Sequence, residues 1–420
     1  LLILTFTKAA AGEMKERIRK KISKLPHLKE QLDKIDSSYI TTFDSYALSL
    51  VKKYHYLLNV SKNISIAPEG VINIKKNKFL EDIFNKYYAL EDKEFLNFID
   101  TFCVKDDKEI FNYILELSSK TDMIMDKEEY LKNYMDNKFN PDNIKSDINK
   151  YIDLIKNKID NIKYLLQDIR NYVSSDYYEK LEKCLTYLFN SNTYDEISNC
   201  LNVRLPSLRE ESEEAKKIKE EISSTIKEIK SLCTYESYDE IYNSILSTSS
   251  TVKIIIKLLL ELDEMINTYK NEYDVYEFND IEMMAINLLR TNHDIKEEVK
   301  DGFKEILLDE YQDTNDIQEE FISLISNNNV YMVGDIKQSI CRFRNANPYI
   351  FKNKYDNYSQ NNGGLKIDLN KNFRSRKEVI ENINTIFNLV MDDEVGGADY
   401  ISSHQMVFGN TSYINEGSTK

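Results

Sequence analysis

Residues 304–315 read KEILLDEYQDTN. Ile306, Leu307 and Leu308 are apolar and branched, the mark of a short buried strand. The run stops abruptly at Asp309 and Glu310, with a third acid at Asp313. Two adjacent carboxylates at the end of a buried strand have two readings. One is a strand that leaves the core and turns polar at the surface. The other is a metal-phosphate site, in which one acid holds Mg²⁺ and the next handles a water.

The surrounding chain repeats the pattern. Leu1–Thr5 reads as a strand, followed by a helix over about Ala9–Lys24 with Met14, Ile18 and Ile22 on one face. Tyr39–Thr42 reads as a second strand that leads into a helix from about Ser45. Glu305–Leu308, Val330–Val333 and Leu365–Leu369 read as three more strands. Helices are expected over 277–289, 314–326 and 375–391, the last opening with a capping box of Ser375 and Glu378. Alternating strands and helices imply a mostly parallel sheet. Ligands then bind beyond the carboxyl ends of its strands. At five such ends stand TFTKAA (5–10), TTFDSYAL (41–48), DEYQDTN (309–315), VGDIKQSICRFRNANP (333–348) and LNKNFRSRKEV (369–379). Residues from about 61 to 270 differ. They are rich in Lys, Asn, Glu, Tyr and Ile, with helical periods and almost no Gly, and contain no chemical constellation. They read as a helical insertion whose Tyr and Ile rows are core.

Composition narrows the class. The 420 residues contain 10 Gly and 5 Pro, so few breakers interrupt long helices. Net charge is −15, yet nine Lys/Arg against four acids in residues 1–34, and nine against two in 337–376, leave two basic stretches. A local patch, not the total, governs contact with a polyanion. The five cysteines form no C-x-x-C pair, which fits free thiols in a reducing compartment, the cytoplasm. The four histidines make no metal-ligand pattern, and no apolar run approaches the ~20 residues that span a bilayer. No disulfide framework, zinc site or membrane span is expected.

Taken together, the five segments resemble the UvrD-like superfamily 1 DNA helicases. TFTKAAAGEMKERI is similar to motif Ia, TTFDSYAL to motif Ib, ILLDEYQDTN to motif II, VGDIKQSICRFR to motif III and LNKNFRSR to motif IV. EFNDIE (277–282), FRNANP (343–348) and MDDEVGGADY (391–400) resemble the AddA (RexA) branch, a component of bacterial helicase-nucleases. The resemblance implies an α/β fold, a RecA-like P-loop NTPase sheet, here incomplete, with a large all-helical insertion. The motor domain would take residues 1–60 and 271–370, the insertion 61–270, and a second motor domain would begin in 371–420.

The resemblance also implies an activity and its residues. The parent protein would be an ATP-dependent 3′→5′ DNA helicase subunit that processes double-strand breaks for recombinational repair. ATP and Mg²⁺ would be its cofactors, and single- and double-stranded DNA and an AddB (RexB)-like subunit its partners. Asp309 would hold Mg²⁺ and Glu310 would orient and deprotonate the attacking water. Gln338 would sense the γ-phosphate, and Arg374 would approach it from the second motor domain. Phe6 and Phe343 would stack on bases, Lys8, Arg342 and Arg344 would contact phosphates, and Thr42 and Phe43 would belong to the DNA face. Cys341, Asn345 and Asp44 depart from the usual Tyr, Gly and His. No Walker A loop, G-x-x-x-x-G-K-[ST], occurs in the chain; the family places it just upstream of motif Ia, so the chain reads as a fragment that lacks it and the nuclease domain. Such a fragment is expected not to hydrolyse ATP efficiently, which single-stranded-DNA-stimulated turnover by these 420 residues would refute. Two other readings stay open: a stand-alone UvrD-type repair helicase, and a non-catalytic DNA-binding remnant.

Overall fold

Two apolar tripeptides at opposite ends of the sequence lie side by side: Leu2, Ile3 and Leu4 pair in parallel register with Ile306, Leu307 and Leu308. The computed structural model of the chain describes residues 1–68, 70–103, 105–208, 212–339, 346–392, 395–410 and 412. Its described residues fall into two compact units, one of residues 1–75 with 266–420 and one of 76–265.

In chain order, the first unit opens with strand β1 (Leu2–Thr5), helix α1 (Lys8–Ile22), β2 (Tyr39–Thr42), α2 (Phe43–Lys53) and the two-residue β3 (Ser65–Ile66). Helices follow as α3 (Val71–Ala89), α4 (Lys93–Phe102), α5 (Lys108–Thr121), α6 (Lys127–Lys138), α7 (Pro141–Ile169), α8 (Ser175–Phe189), α9 (Tyr194–Cys200), α10 (Glu213–Leu232), α11 (Tyr238–Ser247) and α12 (Ser249–Tyr273). The first unit resumes with β4 (Val275–Tyr276), α13 (Phe278–Thr291), α14 (His293–Asp301), β5 (Ile306–Leu308), α15 (Asp316–Ile325) and β6 (Val330–Met332). It continues through α16 (Pro348–Ser359), β7 (Lys371–Asn372), α17 (Lys377–Val390) and β8 (Val407–Phe408).

Four strands make the main sheet, in the order β2-β1-β5-β6, all parallel. The register sets Thr5 beside Thr42, Leu4 beside Leu308, and Leu308 beside Met332, so all four strands end at one edge. Their short lengths suit near-complete burial: every residue of β1 is buried, as are Ile306 and Leu308. Ala11, Met14 and Ile18 of α1 pack on Ile3, Ile40 and Leu307, which explains the apolar stripe of that helix. α13 packs on α2 and α15. Tyr46 sits edge-on to Phe303 at 5.9 Å and to Phe321 at 6.0 Å.

The second unit is helical among its described residues. Ile144, Ile148, Ile152, Ile155, Ile159 and Ile162 recur at steps of three and four along α7, which puts them on one buried stripe. Leu181, Leu185 and Leu188 of α8 and Ile222, Ile226 and Ile229 of α10 complete that core. The isoleucine row is therefore core, as its spacing suggests, whereas Tyr164 and Tyr187 are largely exposed. A buried ion network joins Lys76, Asp122, Lys127 and Asp263, with Lys127 Nζ 2.7 Å from Asp122 and 2.6 Å from Asp263. Burial alone would neutralise Lys127, but the two carboxylates outweigh it and hold its pKa above the ordinary value.

Two sequence expectations are corrected. Leu365–Leu369 is not a strand: its alternating Leu365, Ile367 and Leu369 are 75%, 63% and 80% exposed, and no strand pairs with them among the described residues. Alternation marks a strand only where a neighbouring strand takes up its backbone groups. The pairing begins two residues later, where β7 joins β8. The capping box of Ser375 and Glu378 does not form either. α17 starts at Lys377 with Arg376 at the cap and no side-chain cap bond. Asn372 Oδ1 instead accepts from the backbone N–H groups of Arg374 and Ser375, both at 2.9 Å.

Candidate functional site

The sheet order creates a switch point. From β1 the chain moves to β2 on one side and later returns to β5 on the other. Beyond the carboxyl ends of strands so arranged, the loops diverge and leave a crevice. In this protein a small cleft opens there, lined by Leu4, Thr5, Phe6, Phe43, Leu308, Asp309 and Thr314. It brings together Asp309, Phe6 and Phe43, three of the residues singled out in the sequence.

The polypeptide after Leu308 is held backbone to backbone. Asp309 N–H donates to the Leu4 carbonyl at 3.2 Å, and Tyr311 N–H to the Val333 carbonyl at 2.8 Å. Glu310 sits between them in the left-handed region, at φ 51°. That conformation costs a non-glycine residue about 1–3 kcal/mol and persists only when its surroundings impose it. It turns Glu310 to the exposed side of the loop while Tyr311 and Gln312 point inward and are buried. Asn315 has a purely local duty, capping α15 by accepting from Gln318 N–H at 2.8 Å. Asp309 and Glu310 have no such structural employment, so the surface-turn reading of this strand end does not account for them.

Gln312 lies at the centre of a polar chain. Its Nε2 donates to Glu310 Oε2 at 2.7 Å, and its Oε1 accepts from Asp335 N–H at 3.0 Å. Gln338 Nε2 donates to Asp335 Oδ2 at 3.1 Å, and Lys337 Nζ lies 2.7 Å from Asp335 Oδ1. Burial would raise the Asp335 carboxyl, but the Lys337 and Gln338 donors prevail and hold it below its ordinary range. Gly334 packs so tightly that a Cβ would stand 2.7 Å from the Phe351 ring and 2.8 Å from Gln312 Oε1. Tyr311, buried beneath the loop, donates its hydroxyl to Glu319, which also pairs with Lys354 at 2.8 Å. Burial, with the Glu319 charge, keeps that phenol protonated.

The donors available for a metal are few. Among the described residues no group of three or more His, Cys, Asp and Glu side chains could hold an ion. Mg²⁺ in nucleotide sites is held by one or two carboxylates together with phosphate oxygens and water. The donor set at this strand end fits that kind of ion and no protein-caged one. Asp313 adds an oxygen that is buried without a hydrogen-bond partner.

The other candidates are spread more widely. Lys8 is exposed at the start of α1, just past the cleft. Thr42 is buried and its hydroxyl caps α2, 2.8 Å from Ser45 Oγ. Phe43 packs edge-on to Phe321 at 5.5 Å. Gln338 is exposed on the loop after β6. Arg374 follows β7, which pairs with β8 and not with the four-stranded sheet. Arg342, Phe343 and Arg344, with Cys341 and Asn345, lie outside the described residues.

Sequence reasoning missed a pair of acids behind the site. Asp44, at the start of α2, hydrogen-bonds Glu282 of α13, which is 3% exposed and accepts from Gln318 Nε2 at 3.3 Å. Burial, reinforced by the Asp44 charge, pushes Glu282 up to about 8. Burial also raises Asp44, against the Glu282 hydrogen bond and the Lys8 charge. Two carboxyls in contact cannot both ionise cheaply, so one proton is shared between them. The only sequence signal was Asp44 standing where relatives commonly carry His. In the same segment, Glu277 and Asp280 hold the buried Lys270 ammonium, at 2.9 and 2.7 Å.

Comparison with known proteins bears on this geometry. The family described as UvrD/REP helicase N-terminal domain matches residues 1–359. The larger-family relative from Lactobacillus johnsonii, the A component of an ATP-dependent helicase/nuclease, is 33% identical over 98% of this chain and 38% of its own length. Proteins of the same description from Clostridium beijerinckii and Clostridioides difficile are each 30% identical over 97% of the chain, and over 37% and 36% of their own lengths. The chain thus spans less than two fifths of the length of these curated relatives.

Proposed function

The chain belongs to the UvrD/REP helicase family, and we propose that it forms part of the ATP-driven motor of an AddA-type helicase-nuclease that unwinds DNA 3′→5′ at double-strand breaks. We assign residues 1–60 and 271–370 to a RecA-like motor domain, 61–270 to an insertion in it, and 371–420 to the start of a second motor domain. A parallel sheet whose middle strands come from both sides of the helical stretch supports that division. A nuclease domain and an AddB-like partner belong to the same reading, as do cytoplasmic location and action on single- and double-stranded DNA. They are supported by the names of the relatives. Among the described residues no helix is long and apolar enough to cross a membrane.

The observation that carries the reading is the pair Asp309 and Glu310 at the switch point of the sheet, beside Phe6 and next to the loop of Gln338. ATP hydrolysis rests on positioning and charge neutralisation more than on covalent work by the protein. Asp309 would hold Mg²⁺ through an oxygen or a bound water, and the ion would offset charge on the β- and γ-phosphates. Glu310 accepts a proton from the attacking water as its oxygen bonds to the γ-phosphorus and the bond to the ADP oxygen breaks. Gln338 reports the state of the γ-phosphate through its loop, and the Arg374 guanidinium forks onto phosphate oxygens, a geometry Lys would not reproduce. Phe6 presents a ring at the cleft for a base, and Lys8 offers a charge for a phosphate.

The test is single-stranded-DNA-stimulated ATP hydrolysis by the full-length protein. Glu310→Gln should lower kcat by about 10²–10⁴-fold while ATP and DNA still bind. Turnover within a few-fold of the wild type would remove Glu310 as the base.

A further inference from the structure

Gln312 is the least exposed polar side chain of the site, at 1%. Neither of its ends is idle. The amide N–H₂ donates to the Glu310 carboxylate, and the amide oxygen accepts from the Asp335 backbone. Glu310 is otherwise an exposed residue at the tip of a strained turn, with a flexible side chain that water alone would leave in many rotamers. One buried amide therefore decides where its carboxylate points. Asp335 N–H belongs to the loop whose Asp335 carboxylate accepts from Gln338. Glu310, Gln312, Asp335 and Gln338 form an unbroken chain of hydrogen bonds between the end of β5 and the loop after β6. Gly334 closes the other side: with no Cβ it lets the loop come down onto Gln312, and any side chain there would meet the amide oxygen.

We propose that Gln312 is a positioning residue that aims the Glu310 carboxylate and ties its orientation to the loop bearing Gln338. This rests on Glu310 being the base, and adds what holds it. A displacement of the 333–338 loop when Gln338 meets a phosphate would move Asp335 N–H. The Gln312 amide would follow, and the carboxylate it holds would rotate with it. A base misaimed by about 1 Å costs on the order of 10²-fold in rate, so small motion of the loop suffices to gate turnover.

The experiment uses the full-length protein with Gln312→Met, which keeps the volume and removes both hydrogen bonds, and Gln312→Glu, which keeps the acceptor for Asp335 and sets a carboxylate against Glu310. Both should lower the DNA-stimulated kcat by about 10–10²-fold, with KM for ATP and affinity for single-stranded DNA within about threefold of the wild type. Placed on Glu310→Gln, Gln312→Met should cost less than about twofold more, because residues that act as one unit are not additive. Wild-type kcat in Gln312→Glu, or a full additional loss in the double variant, overturns the proposal. So does a loss of ATP and DNA binding in step with kcat, since that marks plain packing. If Glu310→Gln itself keeps turnover, the base is misassigned and the role of Gln312 falls with it; if Glu310→Gln is inactive while Gln312→Met is normal, only the role of Gln312 is wrong.

Discussion

The two units of the chain use the same residue types to opposite ends. In the helical unit, charged side chains on the surface pair along their own helices, as Lys132 does with Glu128 and Lys180 with Asp176. Such pairs are worth only about 0.3–0.5 kcal/mol each, and the unit is held by the isoleucine stripe of α7 against α8 and α10. At the ends of the sheet strands, polar side chains reach across elements. Gln312 bonds the backbone of the next loop, Tyr311 bonds α15, and Glu282 of α13 bonds Asp44 of α2. Local pairing tolerates drift in the backbone, whereas bonding across elements fixes each group to within a few tenths of an ångström. Chemistry that depends on aim is found where the bonds cross.

Beyond the inactivation expected from Glu310→Gln, three further substitutions probe this contrast, in order of expected size. Leu185→Ala in α8, at a site with no exposure, should destabilise the helical unit by about 2–5 kcal/mol and leave DNA-stimulated ATP turnover within about twofold. Hydrogen exchange over residues 141–247 reads the first effect, and a large fall in turnover below the melting range would show that the helical core also serves the site. Phe6→Leu keeps the apolar fill of the cleft and removes the stacking face; single-stranded-DNA affinity should fall by about 1–3 kcal/mol in fluorescence titration. Unchanged affinity would make Phe6 simply core. The smallest effect is in Glu282→Gln. Glu282 is pushed up to about 8 by burial and by Asp44, so the native state keeps a proton that the unfolded chain has released. Stability from this group is complete below the ordinary carboxyl range and is lost as pH rises through about 8. The Gln variant should lack that loss and melt a few °C above the wild type, on the order of 2–4 °C per kcal/mol, at pH 8.5 and not at pH 5. Parallel melting curves across that range would mean the pair is not protonated as described.

The sheet and its family were legible in the sequence because buried parallel strands are short apolar runs, and each was followed by a distinctive polar segment. Four of five strands stand where they were expected; the fifth, 365–369, has the right alternation but no neighbour to pair with. Ser375 and Glu378 had the right spacing for a capping box, but Asn372 took the backbone donors first. Asp309 and Glu310 could be singled out because acids at a strand end are unusual. Gln312 could not, since nothing in DEYQD distinguishes a buried amide from an exposed one. The Asp44 and Glu282 contact joins residues 238 positions apart, and no local pattern announces it.

The pairing of β1 with β5 also constrains how the protein comes into being. The partners lie roughly 300 residues apart, and ribosomes add about 5–20 residues per second. The edge of β1 that β5 will occupy is therefore on offer for roughly 15–60 s before its partner emerges. An unpaired apolar strand edge is a template for the wrong chain. In those seconds only β2 and α1 can shield it, and chaperone capture of the nascent chain should be concentrated in that interval.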